Sequence, residues 1–114
     1  MKIAISSNGK DLKSNISEVF ARCPYFFIAE IENGKIQKTE AIENIIANQM
    51  VRAAGISVAQ FMAEKNIEAI ITKNVGPRAL DVLNQFGIDI YIGEGTVEKA
   101  LQEFINGELK KIEK

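Results

Sequence analysis

The chain has 114 residues, 46% of them apolar and 25% charged, with a formal net charge of −1. That composition fits one globular domain with its own core and excludes a disordered chain. So balanced a charge provides no field to gather phosphates, and nucleic acid is not an expected partner.

Met1–Ser6 is a short apolar run closed by Ser6-Ser7-Asn8-Gly9, which reads as a strand followed by a turn. Asn15 with Glu18 three residues on has the form of a capping box, predicting a short helix over Ile16–Ala21 that Pro24 terminates. Tyr25–Glu32 is aromatic and β-branched and predicts a strand. Asn33-Gly34 predicts a type I′ hairpin, with Lys35–Ile42 returning antiparallel as a charged, exposed edge.

Glu43–Met50 has no period and reads as a loop. From Val51 to Asn66, a helical stripe is formed by Val51, Ala54, Val58, Phe61 and Met62. Glu68–Thr72 is a buried strand. The loop Lys73–Gly76 leads to Pro77 at the first turn of a helix that buries Ala79, Leu80 and Leu83 and stops at Gly87. Ile88, Ile90 and Ile92 alternate with Asp89 and Tyr91 as a last strand. After the turn Gly93-Glu94-Gly95, Thr96 caps a helix whose apolar face is Val97, Ala100, Leu101, Phe104 and Ile105. Residues 108–114 read as a frayed, charged tail beyond a domain of residues 1–107.

This order predicts an α/β fold: a single domain with a five-stranded mixed sheet in spatial order 3-2-1-4-5, strand 2 antiparallel, and helices on both faces. No apolar run approaches the ~20 residues that span a bilayer, and no secretory pattern opens the chain, so a cytoplasmic protein is expected.

The chemistry is marked by what is missing. There is no histidine, so the commonest general base and metal ligand are absent, and Ser-His-Asp or Cys-His catalysis is excluded. No phosphate-loop spacing occurs, and Gly93-Glu94-Gly95 is a lone turn rather than a nucleotide fingerprint. The chain reads as a binding protein, not an enzyme. In open α/β sheets, ligands sit beyond the carboxyl ends of the strands. That edge gathers Ser7 and Asn8 from the first loop, Lys73, Asn74, Gly76 and Arg78 from the middle one, and Gly95 and Thr96 from the last. Two helix starts there, at Pro77 and Thr96, offer free N–H groups to an anion. Cys23, the only cysteine, follows Arg22; it reads either as a thiolate favoured by that cation, a soft metal ligand, or as a small core residue.

Several segments together resemble the dinitrogenase iron–molybdenum cofactor biosynthesis family, the NifX-like and NafY-like domains. These are Lys2-Ile3-Ala4-Ile5 with its Ser-Asn-Gly-Lys loop, Val19-Phe20-Ala21-Arg22-Cys23-Pro24-Tyr25-Phe26, Ala54-Gly55, Gly76-Pro77-Arg78-Ala79, and Gly95-Thr96-Val97 with Ala100-Leu101. The second of them is similar to the family's His-Phe-Gly-Arg segment followed by Pro-Tyr-Phe. The resemblance implies a ribonuclease-H-like fold without nuclease function, and a protein that binds or carries a metal–sulfur cluster such as an iron–sulfur or iron–molybdenum-type precursor. Implied with it are protein partners that donate or accept the cluster, and a second copy of the chain is a candidate partner because one thiol is too few to complete a site. Here the family's histidine is Val19 and its following glycine is Ala21. Two readings follow: Cys23 ligates in place of the histidine, with Arg22, Lys73 and Arg78 balancing charge, or the chain is a metal-free interaction or regulatory module that has lost cluster binding.

Overall fold

Apolar residues alternate along the inner strands so that each of these contributes to two cores at once, and helices cover both faces of the sheet. The computed structural model describes residues 1–46 and 54–112. Its strands are β1 (Lys2–Ser7), β2 (Tyr25–Glu32), β3 (Lys35–Glu43), β4 (Ala69–Thr72), β5 (Asp89–Ile92) and β6 (Lys110–Ile112), and its helices α1 (Ala54–Glu64), α2 (Pro77–Gln85) and α3 (Val97–Ile105). The sheet order is β3-β2-β1-β4-β5-β6. β1 runs antiparallel to β2 and parallel to β4, and β4 runs parallel to β5.

Ala4, Phe26, Ile28, Ile70 and Ile90 pack with Val58 and Met62 of α1 and Leu83 of α2 on one face. Ile3, Ile5, Phe27, Ala29 and Ile71 pack with Val97, Ala100 and Leu101 of α3 on the other. The period-2 alternation is what sends neighbours to opposite faces. The mixed sheet, the antiparallel second strand and the two-faced cover all follow the sequence expectation. No helix among the described residues is long and apolar enough to cross a membrane.

The hairpin also forms as expected. Glu32 pairs with Lys35 across Asn33-Gly34, both at positive φ (53° and 74°), the geometry that asparagine and glycine tolerate best. α2 begins with Pro77 after Gly76, and Gly87 at φ 73° follows its end. Val51 and residues 47–50 of the expected loop lie outside the described residues.

Two expectations are corrected. Ile16–Ala21 is not a helix: only Phe20–Arg22 forms a 3-10 turn, while Ile16 makes a bridge with Ser7. The reason is topological. Residues four apart share a face of a helix, yet Ile16 belongs to the core under α3 and Phe20 to the core under α1 and α2. The segment must therefore cross over the rim of the sheet, and extended backbone does that.

The second correction is the tail. Lys110–Ile112 is a sixth strand, antiparallel to β5, with Ile112 packed against the first core and Lys111 3.2 Å from Asp89. Two lysines precede Ile112 and carry no strand signal, so this edge strand is visible only through its pairing with β5.

Gly93 shows how closely the rim is packed. A Cβ there would stand 2.7 Å from Ile71 Cγ2 and 3.3 Å from Ile16 Cδ1. Gly93→Ala is expected to destabilise the fold by about 1–3 kcal/mol through overpacking, read as a lower urea midpoint. An unchanged midpoint would mean that β4 and the first loop yield to the methyl group.

Candidate functional site

The rim beyond the strand ends divides into a closed half and an open half. In the closed half, the first loop lies across the start of α3. Val97 N–H donates to the Ser14 carbonyl (2.9 Å) and Glu98 N–H to the Leu12 carbonyl (2.9 Å), while Thr96 Oγ1 accepts from Lys99 N–H (3.2 Å). Ile16 N–H donates to the Gly95 carbonyl at 2.8 Å. The donors expected at the helix start after Thr96, the N–H groups of Val97, Glu98 and Lys99, are thus taken by the chain itself, and that part of the expectation is corrected.

Ser7 and Asn8 are committed in the same way. Ser7 is fully buried, and its Oγ donates to the Gly9 carbonyl at 2.7 Å. The exposed Asn8 uses its backbone N–H on the Asn15 carbonyl at 2.9 Å. Lys73 pairs with Glu18 at 3.0 Å, and the hydrogen bond it donates to that carboxylate, then the carboxylate's charge, raises the ammonium pKa. Asn74 donates from Nδ2 to the Glu18 carbonyl and accepts from Phe20 N–H. Lys73 and Asn74 therefore clamp residues 18–20 and do not line the open half.

The open half is a cavity of about 350 Å3 between the 3-10 turn, the first described residues of α1 and the start of α2. Val19, Phe20 and Ala21 form one wall, and Ala54, Gly55 and Ile56 another. Gly76, Pro77, Arg78 and Ala79 close the third side. At its base α1 and α2 approach closely: a Cβ on Gly55 would stand 3.1 Å from that of Ala79. Among the described residues, the charged groups lining it are the two exposed guanidinium side chains Arg22 and Arg78.

The start of α2 is chemically open. Gly76 occupies the N-cap position without a side chain to cap, and Pro77 has no N–H. The N–H groups of Arg78 and Ala79 have no intrahelical acceptor by position, and none elsewhere among the described residues. Both residues line the cavity, where the positive end of the α2 dipole favours negative charge. Of the sequence candidates, the fold brings together Arg22, Gly76 and Arg78. It adds Ala21 and Ile56, which carry no polar signal in the sequence.

Cys23 departs most from the thiolate reading. Its side chain is fully buried in the first core, and Sγ donates to the Phe20 carbonyl at 3.3 Å. Burial pushes its thiol from 9.0 up to about 12, and hydrogen bonds from the Ser7 backbone and the Asn44 side chain oppose the rise without cancelling it. The lowering expected from Arg22 is therefore reversed: that side chain is exposed in the cavity while the sulfur is buried in the core. Among the described residues no group of three or more His, Cys, Asp and Glu could hold a metal ion.

Residues 1–107 match the family described as dinitrogenase iron-molybdenum cofactor. The chain belongs to this family. Over 114 residues it is 39% identical to the uncharacterized protein MJ0580 of Methanocaldococcus jannaschii, covering 99% of this chain and 92% of that one. Among solved structures it is similar to the apo form of the orange protein from Desulfovibrio gigas, with a TM-score of 0.88 at 26% identity, covering 97% of this chain and 92% of the other. The Thermotoga protein TM1290 superposes with a TM-score of 0.80 at 38% identity, over 96% and 91% of the two chains. The iron–molybdenum cofactor family thus accounts for the whole fold up to α3, and β6 lies beyond the matched residues.

Proposed function

We propose that this protein is a non-catalytic carrier that holds an anionic metal–sulfur cluster, of the kind that precedes an iron–molybdenum cofactor, as cargo in the cavity beside α2. One observation carries the reading. Two guanidinium groups and the uncapped start of a helix converge on walls that are otherwise apolar. Apolar walls exclude water and strengthen each charge-assisted contact. Arg22 and Arg78 offer planar N–H forks to sulfur or oxo atoms at the cluster surface, and the Arg78 and Ala79 N–H groups add donors of fixed direction. With Cys23 neutral and buried, the cluster is held whole, by charge and hydrogen bonds. Transfer to or from donor and acceptor proteins then needs no protein–metal bond to break. A ribonuclease-H-like framework working in a reducing, cytoplasmic compartment belongs to the same proposal.

The test is an anaerobic titration with tetrathiomolybdate, a small metal–sulfur dianion followed by its visible absorbance. The wild type should bind one equivalent, and the affinity should fall as salt rises. Arg22→Ala and Arg78→Ala should each weaken binding about tenfold, and the pair on the order of a hundredfold, the scale of one charge-assisted hydrogen bond per side chain.

The second reading, a metal-free interaction module, draws on Val19: the residue that aligns with the family's histidine lines the cavity with an exposed isopropyl group. Protein purified without oxygen that carries no stoichiometric iron or molybdenum, and binds no thiomolybdate, would replace the carrier by that module.

A further inference from the structure

Arg22 stands at the end of a 3-10 turn, where the chain leaves its hydrogen-bonding pattern. In such a turn the Ala21 carbonyl would accept from the N–H three residues on, but that residue is Pro24, which has none. The missing donor comes from 23 residues away. Asn44, only 4% exposed, directs its Nδ2 to the Ala21 carbonyl at 3.1 Å and to the Cys23 carbonyl at 2.9 Å. These two carbonyls flank the Arg22 residue on either side. The same nitrogen lies 3.9 Å from Cys23 Sγ. Asn44 also ties its own backbone N–H to the Pro24 carbonyl at 2.9 Å, so the docking of the β3 end onto the start of β2 does not require the side chain. What the amide adds is confined to residues 21–23.

The opposite end of this cavity wall is clamped separately, by the Phe20 N–H to Asn74 carbonyl bond (3.0 Å) and the Asn74 Nδ2 to Glu18 carbonyl bond (3.1 Å). Without the Asn44 amide the wall would keep its ties at residues 18–20 and the Cys23 Sγ bond to the Phe20 carbonyl, but lose the side-chain donor to both carbonyls that flank Arg22.

We propose that Asn44 is the positioning residue of the anion site: its side-chain amide replaces the donor that Pro24 lacks and thereby fixes the peptide from which Arg22 reaches into the cavity. The inference rests on the carrier reading above. Asn44 touches no ligand and acts through Arg22.

A double-mutant cycle with tetrathiomolybdate tests it, since residues that act through one another are non-additive. Asn44→Ala should weaken binding about tenfold in the otherwise wild-type protein and by less than twofold in the Arg22→Ala background. Its effect should remain tenfold in the Arg78→Ala background. Equal losses in all three backgrounds, or no loss in the first, would overturn the role. Should the alanine variant fail to fold, Asn44→Ser retains one hydroxyl donor and should give an intermediate loss with the same dependence on Arg22. A reading independent of any variant is the backbone 15N order parameter of Arg22 in the wild type. It should match rigid strand values near ~0.85, and a value below ~0.6 would defeat the proposal. Failure of the carrier reading looks different: the wild type then binds no thiomolybdate, although Arg22 remains rigid.

Discussion

Gly76→Asp should make this protein more stable and less able to hold an anion. Gly76 has φ −70° and ψ 158°, a conformation open to any residue, and nothing described lies within 4 Å of where its Cβ would be. Glycine is therefore not required there by backbone strain or by space. An aspartate at this N-cap would accept from the Arg78 or Ala79 N–H and place its charge on the helix dipole. Removing a glycine also lowers the entropy of the unfolded chain. Together these should add about 1 kcal/mol, a rise of roughly 4 °C in melting temperature for a domain of this size.

The same carboxylate occupies the donors assigned to the cargo and repels it, so thiomolybdate affinity should fall on the order of a hundredfold. Gly76→Ser is the control, capping without charge and losing less. A variant that melts higher yet binds as well as wild type would show that the anion sits away from the start of α2.

The second large effect is alkaline. Below pH 9.0 the Cys23 thiol is neutral in both folded and unfolded chains, and its contribution to stability is complete. Above that, the unfolded chain releases a proton that the folded one retains up to about pH 12. The unfolded state then binds fewer protons, and stability falls by about 1.4 kcal/mol per pH unit, about 4 kcal/mol over the whole window.

The measurement is a difference, which isolates the thiol from every other change with pH. Urea unfolding of the wild type and of Cys23→Ala is compared from pH 8 to 10.5. The alanine variant should start about 1 kcal/mol less stable from lost packing and gain on the wild type as pH rises. In the native protein at pH 8 the thiol should resist a disulfide reagent that modifies it at once in urea. A native thiol reacting as fast as free cysteine would restore Cys23 as a thiolate and reopen it as a ligand.

What the sequence determined by itself was most of what local chemistry governs, the Asn15 and Glu18 capping pattern excepted. The Asn33-Gly34 hairpin, Pro77 opening α2, Thr96 capping α3 and the alternating isoleucines of β1 and β5 each carry their structural reason within a few residues. Family membership was legible for the same reason, since short segments keep their order along the chain. Tertiary structure alone decided which half of the rim is open. Both helix starts offer donors when read as sequence, yet carbonyls of Leu12 and Ser14 cover α3 while the first N–H groups of α2 have no acceptor among the described residues. The same holds for Cys23 and Arg22, adjacent in the chain and sent to opposite environments by the end of a 3-10 turn. Asn44 had no local signal at all, because its partners lie 21 and 23 residues away. Hydrogen-bond donors and desolvation are assigned by neighbours in space, and those neighbours exist only once the sheet has brought its loops together.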